Sequence, residues 1–84
     1  MAFQVIIPKK VQKELNKIPQ NFRKKIIAAL VFLSKNPYLG KKLEGERKGK
    51  WSLKVWLYRI IYTIEKEELI ILIIKIGHRQ EVYK

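Results

Sequence analysis

The sequence predicts an α+β fold: an N-terminal strand, a two-helix hairpin, then an antiparallel sheet with the helices on one face. Three observations point there. After a short alternating start, apolar residues recur at helical spacing as far as Leu33, whereas from Trp51 onward the spacing becomes two. Pro8, Pro19 and Pro37 punctuate the first half where two helices would begin and end. Charge divides along the same line, with 13 basic and 3 acidic side chains in residues 1–50 but 6 and 4 in residues 51–84.

Phe3, Val5 and Ile7 alternate with Ala2, Gln4 and Ile6, which reads as a first strand. Pro8 fits the first turn of a helix, where its fixed φ is suitable and its missing N–H is not needed. In that helix Val11, Leu15 and Ile18 fall on one stripe, and Lys9, Lys13 and Lys17 on the opposite one at i, i+4 spacing. Like charges so spaced repel instead of supporting the helix, so the stripe reads as a binding surface. Pro19 breaks the pattern. Phe22, Ile26, Ala29, Leu30 and Leu33 then share a face of a second helix, with Lys24 and Lys35 pointing away. That helix must end near Asn36, because Pro37 disfavours helical geometry before it.

Between Tyr38 and Lys50 the chain sets Gly40, Gly45 and Gly49 among Lys41, Lys42, Arg47, Lys48 and Lys50, the composition of a flexible basic loop. Three strands follow. Leu53 and Val55 alternate with Ser52 and Lys54, and Tyr58, Ile60, Tyr62 and Ile64 alternate with Arg59, Ile61 and Thr63; Leu69 to Ile76 is apolar on both faces. With Glu65-Lys66-Glu67-Glu68 as a tight turn, Ile60 is expected opposite Ile73 and Arg59 opposite Ile74. Ile60, Tyr62, Ile64, Ile71 and Ile73 would then lie under the helices, and Arg59 on the open face.

Composition narrows the function classes. Eighty-four residues suit one domain, 1–84, which buries only roughly 60–65% of its unfolded surface, so an active site must lie on an open face. The absence of cysteine removes disulfides, thiolate zinc sites and thiol catalysis, and His78, the one histidine, cannot hold a metal alone. No metal or small-molecule cofactor is expected. No uninterrupted apolar run, Leu69 to Ile74 included, approaches the roughly 20 residues that span a membrane. The start, Met1-Ala2-Phe3-Gln4, has no signal-peptide character, so a cytoplasmic location is expected. The net charge of +12 calls for a polyanion, since each neutralised phosphate releases counterions. A merely solvated lysine surface would be enriched in acids too, yet 15 lysines stand against 7 glutamates and no aspartate.

Six motifs then fall in a recognisable order: Ile7-Pro8-Lys9, Asn36-Pro37, Lys42-Leu43-Glu44-Gly45, Trp51-Ser52-Leu53-Lys54-Val55, Tyr58-Arg59-Ile60-Ile61-Tyr62 and Gly77-His78-Arg79-Gln80-Glu81-Val82-Tyr83. Across essentially its full length the chain resembles the RelE/ParE toxin superfamily. The resemblance implies a RelE-like, microbial-ribonuclease-like fold and a toxin held inactive by a cognate acidic antitoxin of RelB type. In the RelE branch it implies metal-free cleavage of messenger RNA on the ribosome, by attack of a ribose 2′-hydroxyl on the adjacent phosphate. The family's catalytic arginine falls on Arg59, its C-terminal arginine on Arg79, its terminal tyrosine on Tyr83 and one of its two strand lysines on Lys54. The other strand cation is replaced by Ser52.

That chemistry needs a base, a proton donor and cations for the charge growing on the phosphoryl oxygens. Arg59 and Arg79 can offer planar forks to phosphate, or else pair with Glu65 or Glu81. Cations around Tyr83 would favour its phenolate; its alternatives are an aromatic plug on the sheet or a stacking platform for a base. His78 can serve as acid or base, or be structural. Lys54 can steady the phosphate or decorate an edge. Trp56, on the parity of Lys54, is expected to stay open and, with Lys9, Lys13, Lys17, Lys24, Lys41, Lys42, Arg47, Lys48 and Lys50, to hold RNA. Two other functions remain open, a ParE-like module that poisons DNA gyrase and a degenerate toxin that only binds RNA.

Overall fold

The computed structural model describes residues 2–78. In chain order come β1 (Gln4–Ile6), α1 (Lys9–Asn16), α2 (Gln20–Lys35), β2 (Lys41–Lys42), β3 (Trp51–Val55), β4 (Tyr58–Glu65) and β5 (Ile70–His78), with 3-10 turns at Pro37–Leu39 and Gly45–Arg47. Pro8 and Pro19 occupy the N-cap positions, and neither helix has a side-chain cap. Eight residues are too few for a helix to persist alone in water, so α1 depends on burying Val11 and Leu15. Asn36 is extended as its proline neighbour requires, and its Oδ1 accepts the Tyr38 N–H at 3.2 Å.

The α+β class stands, with one refinement to the sheet. Its order is β1-β5-β4-β3-β2, and β1 runs parallel to β5 while the other neighbours are antiparallel. A parallel pair needs a long crossover between its strands, which everything from α1 to β4 supplies. Val11, Leu15, Ile18, Ile26, Leu30 and Leu33 of the helical half bury against Ile60, Tyr62, Ile71, Ile73 and Ile76 of the sheet. Ile64, expected among them, is only partly buried.

The segment expected as a flexible loop is instead partly ordered. Tyr62, fully buried, donates its hydroxyl to the Pro37 carbonyl at 2.8 Å and accepts the Gly40 N–H at 3.1 Å. Those two bonds bring Lys41–Lys42 to the edge of β3, where Lys41 pairs with Ser52 and Lys42 with Trp51. Gly40 is required by the approach: a Cβ there would lie 2.5 Å from the Tyr62 hydroxyl and 2.8 Å from the Ser52 carbonyl oxygen. Burial pushes the Tyr62 phenol above its ordinary pKa, partly opposed by the Gly40 hydrogen bond.

The β4–β5 register also differs from expectation. The turn is Lys66 to Leu69, with Leu69 in the left-handed region at φ 56° and its N–H donated to the Lys66 carbonyl at 3.3 Å. Ile64 therefore faces Ile71 and Tyr62 faces Ile73, two positions from the expected pairing, an even shift that keeps every face. A bulge then intervenes. Ile61 faces Lys75, so Ile74 is an extra residue, and beyond it Ile60 pairs with Ile76 and Arg59 with Gly77 instead of Ile74. Uninterrupted alternation from Ile71 and Ile73 would have driven Lys75 into the core. The bulge puts Ile76 there, at 1% exposure.

Candidate functional site

On β3 and β4 alternate residues face away from the helices. Lys54 and Arg59 are direct cross-strand partners, and Gly77 continues their row on β5. Next to it runs Lys41, Ser52, Ile61 and Lys75. Two rows thus carry four cations and no carboxylate. Like charges directly opposite each other weaken a sheet, so the Lys54–Arg59 pair is unfavourable by itself and is made good by an anion placed over both. Lys54 is exposed and Arg59 partly buried, less open than its sequence neighbourhood implied. Two buried polar atoms of this face, Arg59 Nε and Thr63 Oγ1, make no hydrogen bond among the described residues. Gly77 places no side chain opposite Arg59 in that row.

Lys75 was missed by sequence reasoning. Its even spacing from Ile71 and Ile73 assigns it to the covered face, and the bulge at Ile74 instead pairs it with Ile61, one row from Arg59, while it also lines a pocket with Glu14, Lys17 and His78. The same bulge moves His78 the other way. Paired with Tyr58, whose ring it meets edge-on at 5.9 Å, His78 lies on the helix side of the sheet, near Glu14 of α1 and Lys17 at its C-cap and away from the Lys54–Arg59 row. There Glu14 Oε1 accepts the Ile76 N–H at 3.3 Å, on the length of β5 that extends beyond its partner β1.

Trp56 also departs from its expected placement. It is the first residue of a two-residue turn between Val55 and Tyr58, with φ 58°, a conformation that suits glycine or asparagine and strains a bulky side chain. It remains 62% exposed, as expected, but it leans toward α2, with Lys25 Nζ 4.5 Å from its ring centroid. The other RNA-binding candidates spread widely. Lys9, Lys13, Lys17 and Lys24 are exposed on the helices; Lys41, Lys42, Arg47 and Lys48 are exposed and Lys50 partly buried around β2. Arg79 and Tyr83 lie outside the described residues. Among those described, no group of three or more His, Cys, Asp or Glu side chains is placed to hold a metal ion, and no helix is long and apolar enough to cross a membrane.

Comparison with known proteins bears on this arrangement. Residues 5–83 match the family described as ParE toxin of type II toxin-antitoxin system, parDE. The chain is 30% identical over 90 residues to Toxin RelG of Mycobacterium tuberculosis, covering all of this chain and 99% of that one. It is 32% identical over 88 residues to Putative toxin RelE1 of Methanocaldococcus jannaschii, covering all of this chain and 98% of that one. A chain of the crystal structure of the toxin-antitoxin complex RelBE2 from Mycobacterium tuberculosis superposes with a TM-score of 0.87 at 25% identity, over 96% of this chain and 95% of that one.

Proposed function

This chain belongs to the ParE toxin family of type II toxin-antitoxin systems, within the RelE/ParE superfamily, and from that premise we propose that it is a ribosome-dependent messenger RNA endonuclease. The observation that carries the reading is the Lys54–Arg59 pair on the sheet face away from the helices, with Lys41 and Lys75 in the neighbouring row. In the cleavage the ribose 2′-oxygen bonds to the adjacent phosphorus and loses its proton. The 5′-oxygen of the next nucleotide leaves and gains one, and a 2′,3′-cyclic phosphate remains. Arg59 meets two phosphoryl oxygens with its guanidinium fork and Lys54 adds a point charge beside it, so charge that grows in the transition state meets cations already in place. Arg79 and Tyr83, assigned by resemblance, supply the further cation and the proton transfer from the 2′-hydroxyl.

The partners in this reading are the ribosome, the message and an acidic antitoxin. Lys9, Lys13, Lys17 and Lys24 hold ribosomal RNA, away from the scissile phosphate. The location is the cytoplasm, and the 84 residues act as one domain. No metal is needed for the step.

A second reading, a gyrase poison, draws on Ser52 in place of a strand cation. Ser52 is 3% exposed, and its row already holds Lys41 on one side and Lys75 beyond Ile61 on the other, so charge lost there is offset by neighbours. The deciding experiment is primer extension on a defined message with and without ribosomes, run beside a gyrase supercoiling assay. Cleavage that requires ribosomes is the expected result. An intact message together with inhibited supercoiling would transfer the chain to the second class.

A further inference from the structure

Where β5 outruns β1, the sheet edge carries an acidic contact that the proposed chemistry does not use. β1 pairs with Ile70, Ile71 and Leu72 only, while β5 runs on to His78. Past Leu72 that strand has β4 on one side and no strand on the other among the described residues. At this edge the Ile76 N–H is donated to Glu14 Oε1 of α1 at 3.3 Å. Glu14 is the sole acidic residue before Glu44, in a helix whose other charged side chains, Lys9, Lys10 and Lys13, are basic. It is partly buried, in a cleft of about 390 Å³ that Lys17, Lys75 and His78 also line.

A hydrogen bond to a strand N–H is directional, whereas burial of the Ile76 side chain is not. The core selects which residue of β5 points inward, and the carboxylate then fixes where the backbone stands. That second constraint matters because the ladder is interrupted at Ile74, and a bulge bends its strand and disrupts the pairing around it. Glu14 takes hold two residues past the bulge and one residue before Gly77, the partner of Arg59. A slip of one residue would set Ile76 or His78 opposite Arg59 and turn the strand's side chains to the other face. We propose that Glu14 is a positioning residue for the cleavage: its carboxylate holds the end of β5 in the register that keeps Gly77 opposite Arg59, and it touches no reacting atom. The inference rests on the nuclease reading and adds to it a residue from the helical layer. Pairing with Lys17 at i, i+3 would support α1 alone and leave β5 out of account.

The test compares Glu14→Ala and Glu14→Gln with Gln12→Ala. Gln12 donates its Nε2 to the Ile7 carbonyl at 2.9 Å, so its replacement takes one hydrogen bond from the same helix without reaching β5. Glu14→Ala is expected to slow single-turnover cleavage of a ribosome-bound message about tenfold, the consequence of a slightly displaced catalytic group, with ribosome affinity unchanged. Glu14→Gln, whose amide oxygen accepts the same N–H, restores most of the rate. Gln12→Ala cuts at the parental rate. In isotopically labelled protein the Ile76 amide exchanges with solvent faster in Glu14→Ala and at the parental rate in Gln12→Ala. Should Glu14→Ala fail to fold, Glu14→Asp takes its place, one methylene too short to reach the Ile76 N–H. Equal slowing by Gln12→Ala would reduce the effect to helix stability and overturn the proposal. So would a Glu14→Gln protein as slow as Glu14→Ala, which assigns the effect to charge, or a Glu14→Ala protein that cuts at the parental rate. A parent that cuts no message on the ribosome sinks the nuclease reading, and the Ile76 exchange rates then decide the strand contact by themselves: unchanged exchange in Glu14→Ala overturns it.

Discussion

The two faces of the sheet are built to different rules. Under the helices, Ile60, Tyr62, Ile71 and Ile73 are fully buried, and the one polar group among them, the Tyr62 hydroxyl, has both a donor and an acceptor partner. On the other face Lys54 opposes Arg59, and Arg59 Nε and Thr63 Oγ1 are buried without a hydrogen bond among the described residues. The first face completes its interactions within the chain and so carries stability. Among the described residues the second leaves like charges opposed and two polar atoms unmatched, which weakens the sheet there instead of supporting it.

The contrast breaks most sharply at Arg59. Arg59→Ala is expected to lower single-turnover cleavage of a ribosome-bound message by about 10²–10³-fold while leaving the melting temperature and ribosome affinity near those of the parent. Arg59→Lys restores part of the rate, since a point charge cannot reproduce the fork. An Arg59→Ala protein that cuts at the parental rate, or that unfolds, removes Arg59 from the site. On the same face, Lys75→Ala should cost less, about tenfold in the same assay, because it flanks the scissile position instead of facing it across one strand. No change would return Lys75 to the solvated surface.

On the covered face the effect is read in stability. Gly40→Ala forces a Cβ against the Tyr62 hydroxyl and the Ser52 carbonyl, and overpacking of that kind costs about 1–3 kcal/mol in denaturant titrations. A neutral result there would mean that the turn from Pro37 to Leu39 yields freely. Tyr62→Phe strands the Pro37 carbonyl, with a loss of similar size, about 1–3 kcal/mol. It also alters the pH dependence. Because the folded-state pKa of Tyr62 is raised, its contribution is fully present below the unfolded value of 10.0 and is lost as pH rises through the folded one. The parent should therefore lose stability in alkali more steeply than Tyr62→Phe; parallel curves would show that Tyr62 ionises equally well in both states.

The smallest expected effects lie far from either face. Changing Lys9, Lys13, Lys17 and Lys24 together to glutamine should leave folding alone and flatten the salt slope of ribosome binding by roughly one unit for each phosphate no longer neutralised. An unaltered slope makes the stripe a solvated surface.

Periodicity and prolines were enough to read both helices, the three long strands and the face on which Arg59 stands, because each depends on neighbours close in sequence. Val11, Leu15 and Ile18 had to share a stripe, and Pro37 had to stop α2, whatever lay above them. Family resemblance singled out Lys54 and Arg59 separately, and only the strand register sets them opposite each other across one tight turn. Three things were settled only when distant segments met. Gly40 reached Tyr62 and drew Lys41 into the sheet, β1 found β5 as a parallel partner, and one extra residue at Ile74 exchanged the fates of Lys75, Ile76 and His78. A strand's pattern records alternation, and a single inserted residue inverts it; where that insertion falls is decided by the apolar side chain the core can accept, which here is Ile76 and not Lys75.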